Sequence, residues 1–173
     1  HDEFAWTVNH TITPSAINTW IGEEVKVAGV EGTVRHELGP GELSFVASAF
    51  GADDTAGTII AFRGWALHDQ EATVFGSFPI PHDPKREAFF SYQDPYSKSM
   101  DELDNRVGGY AGLKYRGDGF ALSALYYDNA GNRLALDGKQ WGWGTRFTNI
   151  GLSLDPAPGV TILSQYMTGE TSS

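Results

Sequence analysis

The sequence contains no cysteine, and this absence removes several kinds of chemistry at once. Without a thiol the chain forms no disulfide, holds no metal through thiolates and offers no cysteine nucleophile. Basic residues are also few, since 12 lysines and arginines stand against 22 acidic residues and the formal net charge is −10. Neutralising the phosphates of a nucleic acid needs clustered Lys and Arg, so no nucleic-acid partner is expected.

Long hydrophobic runs are the next absence. The longest nearly apolar stretches, 57–62 and 120–127, are far shorter than the roughly 20 residues of a transmembrane helix. Apolar residues make up 40 % of the chain and aromatic residues 13 %, and there are 21 glycines. This composition favours short strands joined by tight turns, and hence one all-β domain over residues 1–173.

Strand-like segments follow one another along the chain, and their connections alternate between long and short. About nine strands are expected, with roughly 19 residues for each strand and its connection. The strand-like segments are 3–12, 25–37, 42–50, 58–67, 72–80, 106–116, 120–128, 141–154 and 160–168. The long connections lie near 13–24, 81–105 and 129–140. Up-and-down membrane barrels show this asymmetry, because one end carries brief turns and the other carries long external loops.

The side chains within a segment alternate between a polar and an apolar face. In segment 106–116, Tyr110 and Lys114 share one face, and Leu113 and Tyr115 share the other. Glycine and serine accompany the polar faces, whereas a soluble sandwich fills its inner face with bulky side chains. A water-filled lumen accounts for small and charged side chains on one face. The pattern therefore predicts an antiparallel, up-and-down transmembrane β-barrel.

Two of the segments are less regular. Segment 141–154 needs a bulge near Asn149 to keep Phe147 on the same face as Ile150 and the later apolar residues. Segment 160–168 shows no assignable face. The predicted register of the last two strands is therefore the weakest part of the pattern.

Several short stretches of the sequence are similar to those of a known family. The stretches WIGEE (20–24), AFGADDTAG (49–57), FRGWALHD (62–69), LYYDN (125–129) and TRFTN (145–149) resemble porin-type outer-membrane proteins of Gram-negative bacteria, including the phosphate-selective porins. The resemblance implies a location in the cell outer membrane, contact with membrane lipid and lipopolysaccharide, and passive diffusion of small hydrophilic solutes, with anionic solutes among the candidates. It also implies a homotrimer as one candidate assembly and no cofactor. An odd strand count near nine and a last segment without a terminal aromatic residue indicate a partial barrel, about 8–9 strands of a larger one.

Charged and aromatic side chains supply the candidate site residues. Rings of charge set the selectivity of many pores, and Trp and Tyr prefer the membrane–water boundary. The pore-lining candidates are Glu31, Arg35, Arg63, Tyr110, Lys114, Arg116 and Arg146. The candidates for the membrane interface are Trp65, Tyr115, Tyr126, Trp141 and Trp143. The alternative for the cations is that they pair with nearby acids and only solvate the lumen.

No catalytic or metal site is expected. The sequence has no Gly-x-Ser-x-Gly elbow, and its five histidines lack the spacing of a metalloprotease. The acidic run 101–104 lacks the glycine-centred loop of an EF-hand and is interpreted as a solvated loop. The long connection that contains it, 81–105, is hypothesised to fold inward as a constriction or to cover the mouth.

Two alternative functions remain open. A soluble β-sandwich that binds carbohydrate would use Trp65, Trp141 and Trp143 as stacking platforms on one exposed patch. A small outer-membrane barrel with an adhesive or structural role would have a lumen filled by interlocking side chains.

Overall fold

The computed structural model describes Ile17 and residues 26–64, 73, 75–98 and 100–173, without the side chains of Arg63 and Arg86. The predicted strand 3–12, almost all of the connection 13–24 and the side chain of Trp65 lie outside the described residues. Most of the described chain is antiparallel β-sheet, which confirms the all-β prediction. In the described part, no helix is long and apolar enough to cross a membrane.

Ten strands and two short helices make up the described chain. The strands are β1 (Ala28–Leu38), β2 (Gly41–Gly51), β3 (Ser77–Pro79), β4 (Tyr96–Lys98), β5 (Gly108–Gly117), β6 (Phe120–Asp128), β7 (Leu136–Asp137), β8 (Gln140–Trp141), β9 (Gly144–Ala157) and β10 (Val160–Ser172). The helices are α1 (Thr58–Arg63) and α2 (Pro84–Phe89). The long strands form one six-stranded antiparallel sheet in the order β1-β2-β5-β6-β9-β10. Within the described residues this sheet stays open, with β1 and β10 at its edges.

The connections of the sheet differ sharply between its two ends. Two-residue turns join β1 to β2, β5 to β6 and β9 to β10, and each turn contains a glycine in the left-handed region: Gly39 (φ 61°), Gly119 (φ 71°) and Gly159 (φ 77°). Glycine adopts these angles at no steric cost, so it fixes tight hairpins at this end. The connections 52–107 and 129–143 both lie at the opposite end. Short and long connections thus alternate among the six strands of this sheet, although the connection 52–107 replaces the separate strands and loops predicted within it.

Two predicted strands are absent or much shorter. The stretch that begins segment 58–67 is the helix α1, and the described part of segment 72–80 contains only the three-residue β3. The β-branched run Thr58-Ile59-Ile60 has the propensity of a strand. In the structure the run is instead buried by packing against other parts of the molecule, and this tertiary contact decides its conformation.

The predicted bulge near Asn149 is wrong. Phe147 is opposite Tyr127 and Asn149 is opposite Leu125 with no break in register, so Phe147 and Ile150 lie on opposite faces. The shift in register that does occur between β9 and β10 is at Val160 and Ile162. The prediction failed because it assumed that every large apolar side chain belongs to the apolar face.

Candidate functional site

One face of the sheet, called the apolar face below, is exposed. Directly opposite residues of an antiparallel pair share a face, so the register defines transverse rows across all six strands. The central row of the apolar face is Val34, Phe45, Leu113, Ala124, Ile150 and Tyr166. Val34 is 67 % exposed, Leu113 50 % and Tyr166 61 %. The rows on either side of it also contain no Asp, Glu, Lys or Arg.

The opposite face, called the polar face below, carries small and charged side chains towards the two-residue turns and the buried cluster Phe50, Leu125, Tyr127 and Phe147 at its other end. Its matching row is Arg35, Ser44, Lys114, Ser123, Gly151 and Gln165. In the next row towards the turns, Glu42 is opposite Arg116. A small cavity is lined by Arg35, Glu42, Ser44, Lys114 and Arg116. Glu37 is directly opposite Glu42 in the same row, so three cations stand against two acids in these two rows of the polar face.

The pore-lining candidates separate into three groups. Glu31, Arg35, Tyr110, Lys114 and Arg116 all lie on the polar face, where the Tyr110 hydroxyl donates a hydrogen bond to the Glu31 carboxylate. Period-two alternation was therefore enough to bring these five together.

Arg146 belongs to the apolar face, at the end of the sheet that carries the long connections. It is opposite Asp128 and Glu170, and its guanidinium lies 2.7 Å from the Glu170 carboxylate. The structure thus does not bring Arg146 together with the other cations. Arg63 is the last residue of α1, and its side chain is outside the described part.

The interface aromatics also occupy different environments. Tyr115 and Tyr126 lie on the apolar face, in the rows that flank the central one. Trp141 and Trp143 belong instead to the long-connection end, where both contact the ring of Phe90 at centroid distances of 5.6 and 5.5 Å. Trp143 is only 4 % exposed, so it does not offer a stacking platform to a sugar.

Residues 52–59, called the inner segment below, lie against the polar face at its long-connection end. The hydroxyl of Tyr127, a residue of the polar face, donates a hydrogen bond to the carboxylate of Asp53. A Cβ on Gly57 would lie 2.6 Å from the Cβ of Trp143, so only glycine permits this close approach. Ile60, just beyond the segment, packs against the buried cluster Phe50, Leu125, Tyr127 and Phe147. The inward fold of 81–105 stays a prediction, and the inner segment, which precedes that stretch in the same β2–β5 connection, contacts the polar face.

The side chain of Asn129 ties the inner segment to the sheet. Its amide nitrogen donates to the carbonyls of Asp53 (3.1 Å) and Trp143 (2.8 Å). Its amide oxygen accepts from the backbone N–H groups of Gly131 (3.1 Å) and Thr145 (2.8 Å). One buried side chain thus connects the inner segment, the 129–143 connection and β9.

A group of acidic residues supports the inner segment from the adjoining stretch of the same connection. The carboxylates of Asp54, Glu102 and Asp104 each bring one oxygen within 4.8 Å of the others. Backbone N–H groups already occupy these carboxylates: Leu103 N–H donates to Asp54 (2.6 Å), Ala52 N–H to Glu102 (2.7 Å) and Arg106 N–H to Asp104 (2.8 Å). The group therefore serves to hold the chain in place, and we assign no metal to it.

The pKa values of these carboxyl groups reflect burial and mutual repulsion. Burial, with repulsion from Asp54, raises the pKa of Asp53 well above its usual value. Burial, with repulsion from Asp104 and Glu102, raises the pKa of Asp54 to about 6 despite the bond from Leu103 N–H. The pKa of Glu102 is lowered, because three backbone N–H bonds and a bond from Asp54 outweigh its burial. Of the two interacting carboxyl groups Asp54 and Glu102, Asp54 is therefore the one that holds the proton.

Sequence reasoning missed the inner segment because its contacts join residues far apart in the chain. Asp53 and Tyr127 are separated by 74 positions, and no local pattern marks such a pair. Comparison with known proteins adds no assignment: no protein-family model, no curated protein and no solved structure matches the chain.

Proposed function

We propose that the chain forms part of the wall of an outer-membrane porin-type β-barrel through which small hydrophilic solutes diffuse. The apolar face contacts lipid, and the polar face lines the lumen. Six strands do not close, so further strands beyond β1 and β10 complete the proposed barrel. Bacterial barrels of this kind begin at eight strands and have even strand numbers.

The observation that carries the proposal is the distribution of exposure over the two faces. A protein in water covers its large apolar side chains and rarely exposes a contiguous apolar patch larger than a few hundred Å². Here a whole transverse row from Val34 to Tyr166 is exposed. The other face buries Ser44, Ser123 and Asn149 beside the cluster Phe50, Leu125, Tyr127 and Phe147. Hydrocarbon outside and polar groups inside is the arrangement that a lipid-embedded barrel requires.

The boundary of the apolar face also fits a membrane. From Tyr126 to Phe120 the uncharged stretch of β6 spans about 20 Å along the strand, which at a tilt of 35–45° covers about 15 Å of the roughly 25 Å apolar band of outer-membrane barrels. The row beyond Tyr126 contains Asp128, Arg146 and Glu170, as expected where hydrocarbon gives way to headgroups. Tyr126 itself places a phenol at that boundary, which is the preferred depth of tyrosine.

The solutes proposed for the lumen are small, hydrophilic and preferentially anionic. Arg35, Lys114 and Arg116 lie on the polar face with two acids, Glu37 and Glu42, so these two rows carry one net positive charge. Local charge of this kind, not the net charge of −10, governs which ions approach a wall. The mechanism is diffusion alone, with no bond made or broken.

Neighbouring cysteines test which face meets lipid. Because the chain has no native cysteine, Leu113→Cys and Lys114→Cys each provide one labelling position, on opposite faces of β5. Each variant, in the whole polypeptide, is labelled with an environment-sensitive fluorophore and folded into phosphatidylcholine vesicles that contain a nitroxide-labelled lipid. We expect strong quenching at position 113 and little at position 114.

The result also separates the alternative functions. Equal quenching at both positions, or folding in detergent-free buffer without association with the vesicles, would overturn the proposal and favour a soluble sandwich. Quenching confined to position 113 without conductance in planar bilayers would favour a structural barrel with a filled lumen.

A further inference from the structure

The carboxyl group of Asp53 is the most completely buried acid among the described residues. Asp53 is 3 % exposed, and every residue from 53 to 59 is buried. The Tyr127 hydroxyl donates to one carboxylate oxygen, and the other oxygen, Oδ1, has no hydrogen-bond partner in the described structure. A buried carboxylate with a single donor is costly when charged, because one hydrogen bond does not replace the lost hydration.

The other contacts of the inner segment do not depend on protonation. Asn129 donates to the Asp53 carbonyl at 3.1 Å, and Trp143 N–H donates to the Asp54 carbonyl at 2.7 Å. Asp54 N–H donates to the Asp101 carbonyl at 3.2 Å. These bonds fix where the segment lies, so the charge on its carboxyl groups decides how firmly it is held.

The charged groups around Asp53 do not offset an ionised carboxylate. Its neighbour in the segment is Asp54, and Tyr127 is the titratable group that β6 contributes. The stretch that packs on the other side carries three further acids and two cations: Asp101, Glu102, Asp104, Lys98 and Arg106. Lys98 already pairs with Asp101 at 2.9 Å and Arg106 approaches Asp104 at 3.7 Å. Both cations are thus directed to acids other than Asp53.

We propose that the inner segment is a proton-operated plug: neutral Asp53 holds it against the polar face, and ionised Asp53 releases it. The equilibrium between the held and the released inner segment follows from the contacts described above. Its effect on permeation rests on the proposed function, in which the polar face lines a lumen that the segment narrows.

The direction of the pH dependence follows from linkage. The pKa of Asp53 is raised in the folded segment. The stability that neutral Asp53 gives to the held segment is therefore fully present below the ordinary pKa of 3.8, and it is lost as the pH rises through the raised pKa. One proton released on opening weakens the holding equilibrium by up to about tenfold per pH unit in that interval. Asp54, with a pKa of about 6, acts in the same direction.

Hydrogen exchange of residues 52–59 tests the proposal in the whole polypeptide. Exchange is measured between pH 5 and pH 8 and corrected for the intrinsic pH dependence of amide exchange. In the wild type we expect protection of this segment to fall by at least about tenfold over the interval. Asp53→Asn keeps the shape of the side chain but stays neutral, so the loss of protection between pH 5 and pH 8 should shrink to the part that Asp54 contributes. Asp118→Asn, in the turn between β5 and β6, is the matched control and should behave like the wild type.

A second measurement works on the wild type alone, in case Asp53→Asn does not fold. The infrared absorption of protonated carboxyl groups, to which both Asp53 and Asp54 contribute at pH 5, should decrease in step with the loss of protection. Constant protection in the wild type, an unchanged loss of protection in Asp53→Asn, or a carboxyl band that does not follow exchange would each overturn the proposal. Neither readout needs conductance, so a pore whose inner segment is insensitive to pH contradicts the plug and leaves the proposed function standing.

Discussion

At the scale of single residues, polar side chains of the long connections hold the backbone in place through hydrogen bonds. Asn129 makes four hydrogen bonds, and the group that it satisfies in β9, the N–H of Thr145, is buried. A buried donor that loses its acceptor costs about 1–3 kcal/mol. One of the four bonds reaches the inner segment, at the Asp53 carbonyl, and the other three hold the 129–143 connection and β9 in place around it.

Replacing Asn129 should release the inner segment and lower stability. Asn129→Ala removes all four bonds, and we expect the free energy of unfolding to fall by about 2–4 kcal/mol. The measurement is urea unfolding from detergent or vesicles, followed by tryptophan fluorescence. Asn132→Ala is the control, because the Asn132 side chain accepts one exposed bond, from Leu134 N–H at 3.1 Å. Equal losses of stability in the two variants would show that the four hydrogen bonds of Asn129 do not stabilise the fold more than one exposed bond does.

At the scale of elements, the long strands could be predicted and the short elements could not. β1, β2, β5 and β6 each follow alternation and a glycine turn, which are local properties of the sequence. β9 and β10 show the glycine turn at Gly159 but no regular alternation in the sequence. α1 looked like a strand, because Thr58, Ile59 and Ile60 are β-branched. Its conformation is decided by tertiary packing, which sequence periodicity does not report.

The candidate site divides in the same way. Arg35, Lys114 and Arg116 were assigned to one face because a period of two fixes the side of each residue in a strand. Arg146 lies on the other face. The sequence pattern groups it with these cations because it predicts that its neighbour Phe147 faces lipid. In the structure Phe147 stacks on Tyr127 at 4.7 Å on the polar face, beneath the inner segment. Because a distant segment covers Phe147, this large aromatic side chain is buried on the polar face and is not exposed on the apolar face.

A new charge on the apolar face should prevent insertion, whereas the same charge on the polar face should not. Val34→Arg places a guanidinium in the central row of the apolar face, at a cost of about 2–4 kcal/mol near the middle of a bilayer. Thr33→Arg places it one residue away on the polar face, beside Val46. We expect the folded fraction in phosphatidylcholine vesicles, read by heat-modifiable gel mobility, to fall strongly for Val34→Arg only. The opposite order would mean that the faces have been assigned the wrong way round.

At the scale of the whole molecule, the cations of the polar face lie towards the two-residue turns. Arg35, Lys114 and Arg116 share their two rows with Glu37 and Glu42. Acidic residues gather at the end with the long connections, at Asp53, Asp54 and 101–104. A net charge of −10 is therefore compatible with a wall that attracts anions, because screening confines each group to its own neighbourhood.

Reversing one wall charge should change which ions cross the membrane. Lys114→Glu alters the charge by two units, and at about 7 Å from a passing ion this changes its energy by about 1 kcal/mol even at the dielectric constant of water. We therefore expect the anion-to-cation permeability ratio, obtained from reversal potentials in a low-salt gradient, to fall severalfold. Lys139→Glu is the control, because Lys139 is exposed in the turn between β7 and β8 and lies 3.5 Å from Asp94, away from the polar face. If Lys139→Glu shifted the ratio and Lys114→Glu did not, ions would pass along the long connections and not along the row of Arg35 and Lys114.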